Sequence, residues 1–293
     1  MVHDIFKINK VAVQEEEIKK FTSEKDFLCL SIDVLIEVGS FVCVAANLYP
    51  LDRKEWNRDE AILGGHLVRL YKLISATLDQ ATQLRRETTY IFARLAFECI
   101  INLRYLIKHA SPGLFSSYVK YSLKHEKKLR TRILEIIKER DGKKLAIETR
   151  ILDSIDISFK VSGVTSEDVP QHLKNWGDKN IYQKAVDLGL ADVYLAAFGG
   201  GSHSVHGNWQ DLLEFHLITN HDTCTFNSNT DWHFPKAQVL NALSLHVTYA
   251  IIDYLIWLNR EEFPEKMVST LGELRDRIFL LDKLHESFLS TKI

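Results

Sequence analysis

The chain has 293 residues, 46% hydrophobic and 26% charged, with a formal net charge of −2. That length can bury a large core in one or two domains, and the near-neutral balance excludes a global field that would gather nucleic acid, leaving only a local patch for that purpose. Four scattered cysteines without a CxxC pair exclude a thiolate zinc site and a secreted disulfide scaffold, and lead us to expect a reducing cytoplasm.

Five prolines and thirteen glycines seldom interrupt the long apolar-periodic runs, which predicts an all-α multi-helix bundle. The opening MVHDIFKINK has no apolar h-region, and residues 1–11 read as loose. A short polar helix spans about Val13 to Phe21. Ser23 and Asp26 make a capping-box start for a helix to about Leu48, ended by Tyr49-Pro50-Leu51-Asp52. Within it, Phe27 to Leu48 invites a transmembrane assignment. Asp33 and Glu37 argue against one, because an Asp in mid-membrane costs about 2.5–3.5 kcal/mol. Their i, i+4 spacing predicts the wet edge of a core helix, and no membrane association is expected. The next helix runs from about Arg58 to Gln80, where Gly64-Gly65 predicts the close approach of a neighbour.

A central helix follows from about Leu84 to His109, closed by Ser111-Pro112-Gly113. Its stretch from Tyr90 to Ile107 is nearly all apolar, which marks burial on most sides. Yet Arg94, Glu98 and Asn102 recur at i, i+4, i+8, with Glu87 and Tyr105 close to the same line, so a buried polar row is expected on one face. Arg94 and Glu98 can neutralise each other, but a guanidinium has five donors and one carboxylate cannot satisfy them all.

Leu114 to Arg140 reads as one long amphipathic helix, and with Lys143 and Lys144 it is the most basic segment. Such a run is either a solvated face or a phosphate-backbone footprint. Asp153 to Val169 reads as a connector, followed by a short helix from Pro170 to Trp176 and another through Asp187. Gly199, Gly200 and Gly201 break or pinch the next helix, and Ser202 is placed as an N-cap. Thr219 to Phe234 is polar and loop-like with some β character, Pro235 opens a long helix, and Pro264 opens the last. Residues 1–55 are expected to pack as N-terminal helices on a bundle of residues 56–293, or to belong to a single domain with it.

The segment FGGGSHSVHGNW, residues 198–209, is the expected partner of the polar row. Glycines before a Ser-capped helix leave N–H groups at a positive helix end, which suits an anion; the Lys-Ser/Thr pair of a Walker loop is missing. A plainer reading is that the glycines permit a tight helix crossing. His203 and His206, at i, i+3, raise the question of a metal site with His216, His221, Asp222 and His233. Without a compact four-ligand pattern, neither metal nor cofactor is expected. No G-x-S-x-G elbow is present for a serine nucleophile.

Arg94-x-x-x-Glu98 followed by Tyr105, Trp176 with Tyr194, and Ser202-x-x-x-His206-Gly207 together resemble a bacterial family of helical proteins, domain of unknown function 5677, over about residues 60–250. That resemblance implies a helical fold and brings no activity with it. A second likeness is to HEPN-type helical nucleases, in which Arg-x4–6-His on one helix cleaves RNA without metal. Here Gly201, not arginine, stands five residues before His206. The expectation is a cytoplasmic bacterial stress or phage-defence protein, of toxin–antitoxin character, with a polar cleft for RNA or nucleotide phosphate. As a metal-independent endoribonuclease it would use His206 as general acid/base, Arg94 for phosphorane charge and Glu98 to orient Arg94. Asn102, Ser202, His203 and Tyr105 would bind substrate. The alternative is a non-catalytic interaction protein with a structural Arg/Glu/His network; a protein partner and a homodimer stay open in both.

Overall fold

The computed structural model describes residues 8–48, 55–170, 172–220, 223–227, 231–258 and 264–292. The described chain is helical apart from one small hairpin, in the order α1 (Glu15–Ile18), α2 (Glu24–Ala46), α3 (Arg58–Thr82), α4 (Arg86–Lys108), α5 (Pro112–Ser122), α6 (Lys124–Glu139), α7 (Ala146–Ser162), α8 (Ile181–Asp187), α9 (Ala191–Val193), α10 (Gly199–His206), α11 (Trp209–Asp211), β1 (Leu217–Asn220), β2 (Thr223–Phe226), α12 (Ala237–Leu258) and α13 (Pro264–Ser290). Two π-helical turns, Tyr194–Phe198 and Leu212–His216, follow α9 and α11. The chain divides into two compact units, residues 1–107 with 185–293, and residues 108–184. The N-terminal helices thus belong to the first unit.

In the first unit, local chemistry sets the helix starts. Asp26 Oδ2 accepts from the Ser23 backbone N–H at 2.9 Å, as the sequence predicts. At α3, Asn57 Oδ1 accepts from Glu60 N at 2.9 Å while Glu60 Oε2 accepts from Asn57 N at 2.8 Å. Helix α2, with Phe27, Val34, Leu35, Val38 and Val42 buried, packs against α3 and α12, and α13 packs against α12 and α2. Helices α2 and α12 are long and apolar enough to cross a membrane, and 56% and 61% of their most apolar windows are buried inside the fold. Gly64 lets the Trp56 ring lie where a Cβ would be, whereas nothing approaches Gly65. The anticipated close neighbour is therefore real, and it is a side chain from just before the same helix.

Glu37 departs from the expected wet edge. Asp33 is exposed, but the Glu37 side chain is 2% exposed and grips Arg277 of α13 through both oxygens, Oε1 to Nη2 at 2.6 Å and Oε2 to Nη1 at 2.8 Å. Val11 donates its N–H to Glu37 Oε2 at 2.8 Å and accepts from Arg277 through its carbonyl. The end of the segment expected to be loose is thereby fixed; residues 1–7, like Tyr49-Pro50-Leu51-Asp52, lie outside the described residues. Helix α12 begins at Ala237, two residues after the proline expected to open it.

The second unit corrects three expectations. The basic stretch is two helices, α5 and α6, broken at Leu123 (φ −82°, ψ 1°). The expected connector is largely α7, whose Leu152, Ile155 and Phe159 are buried at helical spacing, with Leu152 packed on Ile133 and Ile137 of α6. Its start is held by Glu148, which accepts from Leu145 N at 2.8 Å and pairs with Arg140, and Gly163 in the left-handed region (φ 62°) ends it. The helix expected from Pro170 is only a 3-10 turn at Trp176–Asp178. Trp176 is buried with Lys184 Nζ 3.2 Å from its ring centroid and Tyr118 edge-on at 5.2 Å. Two basic side chains serve as pegs: Lys124 Nζ donates to Leu173 O at 2.7 Å and Lys127 Nζ to Val169 O at 2.8 Å.

Candidate functional site

Helix α4 is tied to α3 by Cys99 Sγ donating to His66 O at 3.4 Å, and to α12 by Arg104 Nε and Asp253 Oδ2 at 2.6 Å. Those contacts hold Ala93, Ala96, Phe97, Ile100, Ile101 and Leu103 inward, all buried. The row at 3.6-residue spacing then comes out half-buried: Arg94, Glu98 and Asn102 are neither sealed nor fully exposed. Tyr105, expected among the substrate-binding residues, is a core side chain at 4% exposed.

The facing segment is the predicted one, but in another form. Gly199 to Gly201 do not break the chain into a capped helix; they are the first turn of α10, directly continuous with the preceding π turn. Ser202 is an interior helical residue rather than an N-cap, and no free helix start lies at the glycines. Their use is close approach. A Cβ on Gly201 would fall 2.7 Å from Arg94 Cβ and 2.8 Å from the Tyr90 carbonyl oxygen, so α10 lies directly on the backbone and stem of Arg94. Tyr194 joins from the turn before: burial raises its phenol pKa, the Arg94 charge opposes the rise and the Glu98 charge adds to it. Arg94, Glu98 and Tyr194 thus share one electrostatic neighbourhood. Below them, burial pushes the Cys99 thiol up to about 12, with Glu98 adding to the rise and Arg69 opposing it. That thiol stays protonated and unreactive.

The histidines do not join that group. Taking 100° per residue, His203 and His206 stand about 200° and 140° round the α10 axis from Gly201. The His206 side chain is exposed and makes no hydrogen bond among the described residues. His203 Nδ1 meets the Asn208 side-chain amide (3.0 Å to Oδ1, 2.7 Å to Nδ2), and Asn208 Oδ1 also accepts from Gln210 N at 3.2 Å at the start of α11. His203 therefore buttresses a helix cap, and Gly207, in the left-handed region (φ 53°), ends α10 beside it. His221 and Asp222 of the wider histidine set lie outside the described residues. His216 goes elsewhere, to Glu87 at 3.1 Å and Asp211 at 3.8 Å near the start of α4. Glu87 lies close to the line of the polar row in the sequence, whereas nothing local in NWQDLLEFH singles out Asp211.

An apolar recess adjoins the Tyr194 side of α4, lined by Phe97, Ile100, Ile101, Leu190, Ala197 and His246 among others. His246, 8% exposed, has its pKa pushed down to about 4 by burial, with a smaller contribution from the Arg104 charge, and is neutral there.

No curated protein and no solved structure is significantly similar to the chain. Residues 60–223 match the model of a family described as Family of unknown function (DUF5677). The match spans α3 through the first strand and covers more than half of the chain, which belongs to that family.

Proposed function

We propose that the crossing of α4 and α10 is a binding site for a phosphate-bearing ligand, RNA or a nucleotide, with Arg94 as its cation and Glu98 and Tyr194 as its orienting neighbours. The observation that supports this reading is the half-burial of Arg94 and Glu98. A pair kept only to fix helix register has no need of an open side, whereas a ligand-gripping arginine needs one, with a low-dielectric wall behind it. Asn102, half-buried one turn beyond Glu98, extends the same face.

The proposal is for binding. The metal-independent cleavage expected from the sequence needs His206 and Arg94 on one phosphate, and a separation of about 140° round α10 gives that step no support. One observation favours the second reading, an interaction protein with a structural network: Gly201 presses on the Arg94 stem. Fluorescence anisotropy with a short single-stranded RNA, competed by inorganic phosphate and by a nucleoside monophosphate, tests the proposal. Arg94→Gln should weaken binding about tenfold, roughly 1.4 kcal/mol, with an unchanged melt. A folded Arg94→Gln variant that binds as the wild type does, or a wild type that binds none of the three, sinks it. A large drop in melting temperature without any binding phenotype selects the structural reading.

A further inference from the structure

Seven residues N-terminal to Arg94, about 10 Å along α4, a second polar cluster has formed that the sequence does not announce. His216 Nε2 lies 3.1 Å from Glu87 Oε1 and 3.8 Å from Asp211 Oδ2. One oxygen from each carboxylate and this nitrogen all fall within 4.8 Å of one another. Exposure is graded across the set: the Asp211 side chain is 6% exposed, Glu87 18% and His216 50%. The cluster has a buried floor and a solvent-facing imidazole.

Two features make it more than an ion pair. The first is Asp211 Oδ1, a buried oxygen with no hydrogen-bond partner among the described residues. A buried carboxylate oxygen costs free energy unless a donor or cation meets it. Among the described residues, the basic group beside Asp211 is the His216 imidazole, already closer to Glu87. The second is the backbone. Asp211 and His216 are at i, i+5, which an α-helix would set about 140° apart. The π-helical turn Leu212–His216 closes i→i+5 instead and brings the two side chains to the same side; such turns recur at functional sites.

We propose that Glu87, Asp211 and His216 form a binding site for a divalent first-row transition-metal ion. Two carboxylates neutralise the ion, a neutral imidazole supplies the nitrogen that selects it over calcium or magnesium, and three protein ligands leave positions for water or a ligand atom. The separations of 3.1 and 3.8 Å are close to those between ligands that each sit about 2.0–2.2 Å from one ion. Neither His203 nor His206, the pair the sequence favours for metal, takes part. The inference stands apart from the phosphate-binding proposal: neither depends on the other, and their readouts differ.

The test uses the full chain, freed of any histidine tag and stripped with a chelator, titrated calorimetrically with Zn2+ and separately with Mn2+. One equivalent per chain is expected, with a rise in melting temperature. Changes to outer-shell residues alone weaken metal sites by roughly 10–100-fold, so loss of a direct ligand should cost at least ~100-fold. His216→Ala, at the exposed side of the set, should fold and lose binding; Asp211→Asn should do the same with its shape kept. A His203→Ala, His206→Ala double variant should bind as the wild type does. Absence of stoichiometric binding overturns the proposal, as does binding that survives in folded His216→Ala and Asp211→Asn, or that disappears with the His203, His206 pair.

Discussion

Replacing Arg277 by Ala should be among the most costly substitutions in this chain. Its side chain is 12% exposed and its guanidinium meets both oxygens of Glu37, itself 2% exposed, at 2.6 and 2.8 Å. Truncation leaves the carboxylate buried, and among the described residues the Val11 N–H at 2.8 Å is what still donates to it. Breaking one side of a buried pair costs about 3–5 kcal/mol, because the stranded charge keeps its full desolvation penalty. Glu37→Ala should cost a similar amount, since it strands the cation. The double variant Glu37→Leu, Arg277→Met should cost far less. A buried pair replaced by apolar side chains of similar volume is often neutral or better, and Arg277 Nε, buried without a hydrogen-bond partner among the described residues, is relieved of its own penalty. What remains is the loss of two hydrogen bonds to Val11, each worth about 0.5–1.5 kcal/mol. The expected losses are thus about 3–5 kcal/mol for each single variant and about 1–3 kcal/mol for the double. Urea titrations at constant m-value measure all three, and the Val11 amide should lose its exchange protection in the two variants that replace Glu37, its acceptor. Single variants losing under about 1 kcal/mol, or a double losing the sum of the singles, would refute the reasoning.

Two pairs of glycines within single helices carry internal controls. Gly64→Ala drives a methyl into the Trp56 ring while Gly65→Ala meets nothing; thermal melts should show the first losing about 1–3 kcal/mol and the second gaining up to about 1 kcal/mol. Gly201→Ala sets a Cβ 2.7 Å from Arg94 Cβ and 2.8 Å from the Tyr90 carbonyl, whereas Gly199 is open. The same contrast is expected there, with the Gly201 variant also disturbing any ligand held by Arg94. A pH titration of stability should find acid sensitivity traceable to His246. With a folded pKa of about 4 against about 6.5 unfolded, its neutral form contributes stability present above pH ~6.5 and lost as pH falls from there towards 4, up to roughly 3 kcal/mol. His246→Phe should flatten that part of the profile, and an unchanged slope would count against the burial argument.

Helix content was legible wherever apolar spacing and a cap agreed, as at Ser23–Asp26 with Phe27 and Val34 behind them. Where composition spoke louder than spacing, the reading failed. The stretch DSIDISFKVS reads as a connector because it mixes aspartate, serine and β-branched residues, yet Leu152, Ile155 and Phe159 keep helical spacing and their burial decides the outcome. Leu123 breaks the basic stretch with neither Gly nor Pro to mark the place. Glu37 was misjudged for a different reason: its partner Arg277 stands 240 residues away, and a pairwise tertiary term of that kind has no trace in a local window.

The candidate site divides along the same line. The α4 row could be read because all its members lie on one regular helix, where 3.6-residue geometry holds, and that it meets the glycine segment could be inferred because a polar row needs a facing surface. Which residues of that segment meet it depended on the helix being continuous through Gly199–Gly201. Taking the glycines as a break made Ser202 a cap and left the histidines facing the row, whereas a continuous α10 puts Gly201 there and turns His206 away. The π turn at Leu212–His216 compounds the difficulty. It resets the helical phase, so that Asp211 and His216, which any α-helical projection would set on different faces, converge on Glu87. A regular period can be extrapolated along a sequence only as far as the first such insertion. Beyond it, the facing residues follow from side-chain packing between α4 and the segment after α10, and it is there that the unsatisfied oxygen of Asp211 marks the place an ion would fill.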